Sequence, residues 1–170
     1  LQCGHTPVFL AGDVNDDVPL LHEAADEGTI AGGNAARYPR VVHAIRRTML
    51  GIAFSDPQIG IVGKRHKELV AELGEDGFVT GKVSFGDQGR SRVMRINRGA
   101  LHVYAAKGDG RLLGAEIAGP RAEHLAHLLA WSHQQEMTVE RMLGMPFYHP
   151  VVEEGLRTAL RDAKAKLDAR

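Results

Sequence analysis

The stretch ALHVYAAKGDGRLLGAEIAG (100–119) holds two runs of β-forming residues broken by Gly108-Asp109-Gly110. A glycine-bounded aspartate between two such runs is a hairpin signal, so the chain commits here to an antiparallel pair. Upstream, MLGIAFSDPQIGIVGK (49–64) offers two more β-rich runs around a Ser-Asp-Pro turn, and GFVTGKVSFG (77–86) and SRVMRIN (91–97) read as further strands. Helical spacing surrounds them. HKELVAEL (66–73) sets Leu69, Val70 and Leu73 on one face before Gly74, and Ala122, Leu125, Ala126, Leu129 and Ala130 stripe residues 121–136. Thr138 reads as the N-cap of a short helix, and a last helix should run from about Pro150 to Ala165, with Lys164 and Lys166 at its negative end. Strands followed by helices predict an α+β fold: an antiparallel or mixed sheet with helices packed on one face. An apolar sheet face left uncovered would suit a subunit contact.

The first residues follow a different plan. TPVFLAGDVNDDVP (6–19) predicts a strand at Val8 to Ala11, a turn at Gly12-Asp13, and a helix from Leu20 to about Arg37. A strand so placed has no partner strands upstream in the chain, so the segment reads as the tail of a domain whose body lies elsewhere. YPRVVHAIRRTM (38–49) is a basic connector. The expected organisation is a domain remnant over 1–38, a linker over 39–48 and a second domain over 49–170.

Bulk properties exclude several classes. Among 170 residues, 21 Lys plus Arg balance 21 Asp plus Glu, so no whole-chain field gathers nucleic acid or an anionic membrane. No stretch approaches the roughly 18 apolar residues of a membrane helix, and LQCGHTPVFLAGD lacks a basic region followed by an apolar core, so a cytoplasmic protein is expected. Cys3 is the only cysteine, which rules out a disulfide, a dithiol redox pair and a Cys-based zinc site within these residues. GDGRLLG (108–114) is followed by a strand, not by the helix a dinucleotide fingerprint needs, and GIVGK (60–64) has Gln58 where a phosphate loop needs glycine. Glu123, His124, His127 and His133 crowd one helix, but the first two histidines stand three apart, not the four of zinc proteases, and no metal is expected. Arg90, Arg92, Arg95 and Arg98 lack interleaved aromatics and read as an exposed strand edge.

Two stretches hold candidate chemistry. In MPFYHPVVEEGLRTAL (145–160), proline restricts the residue before it and is welcome in a first helical turn, so Pro150 should open a helix with His149 at its threshold. Glu153 and Glu154 then fall at the positive end of the helix dipole, and a bend can bring one back toward the imidazole. The same residues read equally as a plain helix start with a surface histidine. In LLHEAADEG (20–28), the amides of Leu21 and His22 open a helix and could hold an electron-rich ring edge, while Asp13 could accept from a ribose-like chain; the same residues also read as an ordinary Asx turn and helix start.

Taken in order, TPVFLAGD, PLLHEAADEG, IAFSDPQIGIVG, LLGAEIAGPRAEHL and HPVVEEGLR resemble the C-terminal part of the pyridine-nucleotide disulfide oxidoreductases, closest to their dihydrolipoyl dehydrogenase branch. The resemblance spans essentially the whole chain. It implies a dimerisation domain of the FAD- and NAD-linked reductases, preceded by the end of an FAD-binding domain. It further implies that Asp13 meets the ribityl chain of FAD, that Leu21 and His22 approach the flavin through their backbone, and that His149 is an acid/base oriented by Glu154. In the family this histidine reaches the redox disulfide of the other subunit, which implies a homodimer acting on a dihydrolipoamide-type dithiol with NAD. The chemistry suits the residues, because a thiol near pKa ~8.5 must lose its proton to attack and an imidazole near ~6.5 can take and return it.

Departures from the family pattern bear on specificity. Val151 stands where threonine often follows His-Pro, Phe147 stands where a second histidine often lies, and Cys3 stands where the flavin motif usually has threonine. The redox disulfide, the first flavin fingerprint and the NAD-binding domain are absent from these residues, so this piece alone is expected to be inactive and not to retain FAD. The alternative is a non-catalytic homodimerisation module of a flavoprotein with a different substrate.

Overall fold

The computed structural model describes residues 1–169. They form two compact units, Leu1–Arg46 and the residues from Arg47 onward.

In the first unit, helix α1 spans Leu21–Arg37, as its alanine-rich sequence predicts. The strand expected at Val8 to Ala11 does not form: Gln2 and Phe9 make an isolated bridge, and Gly12–Asn15 is one turn of 3-10 helix. Strand backbone needs a ladder partner, and the described residues offer this segment only that bridge. What orders the turn is Glu27, 3% exposed on α1. Its carboxylate accepts from the Gly12 amide at 2.6 Å and from Asn15 Nδ2 at 2.7 Å, and it pairs with Arg46. Asn34 ties down the connector in the same way, exchanging two bonds with the Val42 backbone at 2.9 and 3.0 Å.

The second unit is a five-stranded antiparallel sheet in the order β1-β2-β5-β4-β3, with β1 at Leu50–Ala53, β2 at Gln58–Gly63, β3 at Phe78–Ser84, β4 at Ala100–Ala106 and β5 at Leu112–Gly119. The hairpin predicted at Gly108-Asp109-Gly110 joins β4 to β5, and Gly110 takes the left-handed φ of +72° that the turn requires. Helices α2 (His66–Leu73), α4 (Ala122–Gln134) and α5 (Val139–Leu143) follow their expected spans closely, and Thr138 caps α5 by accepting from the Arg141 amide at 3.2 Å. Helix α6 runs Glu154–Asp168.

Strand alternation builds the core. Val62, Val79, Leu101, Val103 and Ile117 point to one face, where Leu125, Leu129, Leu156 and Leu160 of α4 and α6 cover them. The alternate residues Phe78 and Tyr104 point to the opposite face, where Leu69 of α2 packs on them. That second face stays half open beyond α2, with Ile59, Ile61, Ala100 and Ala118 lining a shallow cavity. Tyr104 is 1% exposed, and its hydroxyl donates to Glu116 at 2.6 Å. Burial first, then Glu116, holds its phenol well above the usual value near 10. The folded state therefore keeps this proton where the unfolded chain releases it, so stability should fall as pH rises above about 10. Alkaline denaturation of Tyr104→Phe should show a shallower loss above that pH than the parent chain.

One expected strand is replaced. SRVMRIN (91–97) forms no ladder; Gly89–Val93 is helix α3, capped by Gln88 Oε1, which accepts from the Ser91 amide and hydroxyl, both at 2.7 Å. Its β-forming composition yields to topology, because β3 already pairs with β4 from Ser84↔Ala100 onward and leaves residues 85–99 as their connection. The arginines expected on a strand edge are instead exposed on α3 and the turn after it.

Candidate functional site: an imidazole at the mouth of the last helix

Helix α6 begins later than Pro150, the expected opening residue. The His149–Pro150 bond is cis, residues 152 and 153 turn, and Glu154 is the first helical residue. The delay places Glu154, not Glu153, where its carboxylate points back along the chain. His149 Nδ1 lies 3.1 Å from both Glu154 oxygens. The Val151 amide donates to Glu154 Oε2 at 3.2 Å and Arg157 Nη2 donates to Oε1 at 3.0 Å, so three donors converge on one carboxylate. Glu153 lines an apolar cavity beside it and makes no bond to the imidazole.

These contacts define the chemistry available. The bond from His149, joined by the Val151 amide and the charges of His149 and Arg157, holds the Glu154 carboxyl below its ordinary value. A carboxylate that stays ionised fixes the imidazole proton on Nδ1 and leaves the Nε2 lone pair as the outward acceptor. The ring is 81% exposed and Glu154 only 17%, so the acceptor faces out while its anchor is tucked in.

Contacts from within and beyond the motif hold the anchor. Phe85, fully buried, sits under the start of α6 so closely that a Cβ on Gly155 would meet its ring at 2.8 Å. Gln88 donates to the Val151 carbonyl at 2.8 Å, tying the loop after His149 to the α3 cap. Arg157 lies over the Phe147 ring, 5.6 Å from its centroid. Gln88 and Arg157 were not legible as site residues. Arg157 stands three residues after Glu154, at ion-pair spacing on a helix, which is the one local signal that could have found it.

Of the other sequence candidates, Asp13, Leu21 and His22 belong to the first unit and the α4 histidines to the second. Asp13 is exposed on the 3-10 turn that Glu27 clamps. Leu21, 89% exposed, and His22 open α1, whose first turn has no side-chain cap. Helix-borne His133 serves structure: Nδ1 meets the Thr48 hydroxyl at 2.8 Å, and burial pushes its pKa down. His127 bonds the Glu123 carbonyl at 2.7 Å. Among the described residues, no three His, Cys, Asp or Glu side chains cluster as metal ligands, and no helix is long and apolar enough to cross a membrane.

A five-stranded antiparallel sheet backed by two long helices, with the chain's last helix closing the core, is the architecture of a reductase dimerisation domain. The family model for the pyridine nucleotide-disulphide oxidoreductase dimerisation domain matches residues 49–160, and the chain belongs to that family. It is 31% identical over 159 residues to dihydrolipoyl dehydrogenase of Haloferax volcanii, covering 92% of this chain and 32% of that protein. It is 29% identical over 160 residues to dihydrolipoyl dehydrogenase of Rhizobium etli, covering 94% of this chain and 33% of that one. The chain thus spans about a third of the length of these relatives. Its fold matches LpdA from Mycobacterium tuberculosis with a TM-score of 0.75 at 22% identity, over 89% of this chain and 32% of that one. It matches the HOCl-induced flavoprotein disulfide reductase RclA from Escherichia coli with a TM-score of 0.72 at 18% identity, over 91% and 34%.

Proposed function

We propose that this chain is the C-terminal part of a flavin-dependent dithiol:NAD oxidoreductase of the dihydrolipoyl dehydrogenase kind, working in the cytoplasm. In that reading it supplies the acid/base histidine to the redox disulfide of a partner subunit. The observation that carries it is the 3.1 Å contact of His149 Nδ1 with Glu154, which leaves Nε2 free to take a thiol proton as thiolate forms and to return it later. Glu154 orients the ring and steadies its cation.

The first unit has features that suit FAD. The uncapped amides at the start of α1, Leu21 and His22 among them, are donors for an electron-rich ring edge, and the exposed Asp13 is an acceptor for a polyol chain. When bound, FAD supplies the electron relay between a dithiol and NAD. Glu27 holds the Asp13 turn in place, so in the full-length enzyme Glu27→Ala should lower flavin occupancy at equal expression, read from the ratio of 450 to 280 nm absorbance. This piece by itself, without a redox cysteine pair or a nicotinamide domain, is expected not to turn over.

A second copy is the natural partner of the helical face. Trp131 is 73% exposed and Leu128 44%, three residues apart on one stripe of α4. Leu128 also lines a cavity of about 310 Å³ with Met145, Tyr148 and Val151, which flank His149. Membership of a dimerisation family makes another copy of this chain the expected cover for an apolar patch continuous with the histidine. Trp131→Glu should shift the full-length protein from dimer to monomer in sedimentation velocity and abolish turnover with it; a stable, active dimer would refute this surface.

The deciding experiment expresses the full-length protein, measures flavin absorbance, and assays NAD reduction by dihydrolipoamide. A yellow enzyme that loses turnover on His149→Gln supports the reading. A yellow dimer whose activity ignores the substitution identifies the chain as a dimerisation module whose histidine does no thiol chemistry.

A further inference from the structure

Arg157 is not needed for the acid/base reading above, yet it is held from two sides. Its Nη2 bonds Glu154 Oε1 at 3.0 Å, and its guanidinium lies over Phe147 at 5.6 Å from the ring centroid. It is only about one third exposed. Phe147 precedes His149 by two residues, so Arg157 bridges the loop before the imidazole to the carboxylate after it. A planar guanidinium suits this task, because it can stack on a ring with its face while donating in its plane.

We propose that Arg157, lying over Phe147, is a positioning residue that locks Glu154 in the rotamer presenting both oxygens to His149 Nδ1. This rests on the acid/base reading for its purpose but not for its test. Glu154 has two oxygens and three donors to serve. With Arg157 on Oε1 and the Val151 amide on Oε2, each oxygen is held by its own donor, and the carboxylate plane is fixed with its open edge toward the imidazole. The charged and titratable groups acting on Glu154 are His149 from the preceding loop and Arg157 from α6; the α3 connection contributes only the neutral Gln88 nearby. Without Arg157, Oε1 loses its second donor and the carboxylate can rotate toward solvent. The imidazole proton is then no longer confined to Nδ1.

The pairing also gives Phe147 a role. The side chain at this position cannot hydrogen-bond the site, but its ring supplies the platform on which the arginine rests.

Long-range 1H–15N spectra of the 170-residue chain read the His149 tautomer directly, and 13C spectra read the Glu154 carboxyl. In the parent chain the Nδ1-protonated form should dominate above neutral pH. Arg157→Gln should lower that fraction severalfold and raise the Glu154 titration midpoint, because one adjacent positive charge is lost. Phe147→Ala leaves the arginine charge in place but removes its platform, so it should lower the tautomer fraction with little change in the midpoint. Tautomer fractions unchanged in both variants would overturn the proposal. Neither readout depends on turnover, so a failure here is distinct from a failure of the proposed thiol chemistry.

Discussion

Replacing His149 with glutamine in the full-length protein is expected, on the acid/base reading proposed above, to lower kcat for dithiol oxidation by about 10²- to 10⁴-fold, the range supplied by a positioned acid/base group. Flavin absorbance should be unchanged, because the imidazole is exposed and its loss empties no core. Glutamine keeps the size and a donor toward Glu154 but has no group that exchanges a proton near neutral pH. Glu154→Gln should produce a smaller loss with the same sign, since it leaves the base in place and removes the anion that selects its tautomer and steadies its cation. The Glu154 carboxyl lies below its ordinary range, so its contribution is present above the usual carboxylate value near 4.3 and is lost as pH falls through the lowered one. Rate profiles of the two variants, compared between pH 5 and 9, separate a lost base from a misdirected one.

The other large effect is structural. Gly81 on β3 faces α6 so closely that a Cβ there would lie 2.2 Å from the Ala159 carbonyl oxygen and 2.6 Å from the Ala163 side chain. The atoms in the way are backbone and a methyl group at the middle of the helix, and neither can swing aside. Gly81→Val should therefore push α6 off the sheet and destabilise the second unit by about 3 kcal/mol or more, the upper end of overpacking costs. Glu154 and Arg157 move with that helix, so the His149 tautomer should lose its preference in the same variant. Gly89→Ala serves as the control, with nothing within 4 Å of its added methyl, and should be neutral or slightly stabilising in urea denaturation. Equal midpoints for Gly81→Val and the parent chain would show that α6 is not seated as described.

Comparing expectation with structure separates two kinds of information. Alternation with a Gly-Asp-Gly break made the β4–β5 hairpin legible, and the apolar stripes of α2 and α4 set their extents to within a residue or two. Signals of this kind act between near neighbours in the chain, and near neighbours are what a sequence displays. The same holds for His149 with Glu153 and Glu154, which share one helix entrance; the family resemblance singled out Glu154. SRVMRIN failed because it falls within the connection that joins the paired strands β3 and β4, where β propensity is overridden, and the α6 start failed because Pro150 was judged by helical preference alone.

By itself, then, the amino-acid order determined an antiparallel sheet followed by covering helices and nominated an imidazole and two acids beside it. Only the tertiary structure shows what holds Glu154 beside the imidazole, since those contacts come from Phe85, Gln88 and Arg157, which reach the loop from other elements or from across a helical turn. Periodicity reports which way a side chain faces; it holds no record of which distant group will be waiting there once the chain has closed.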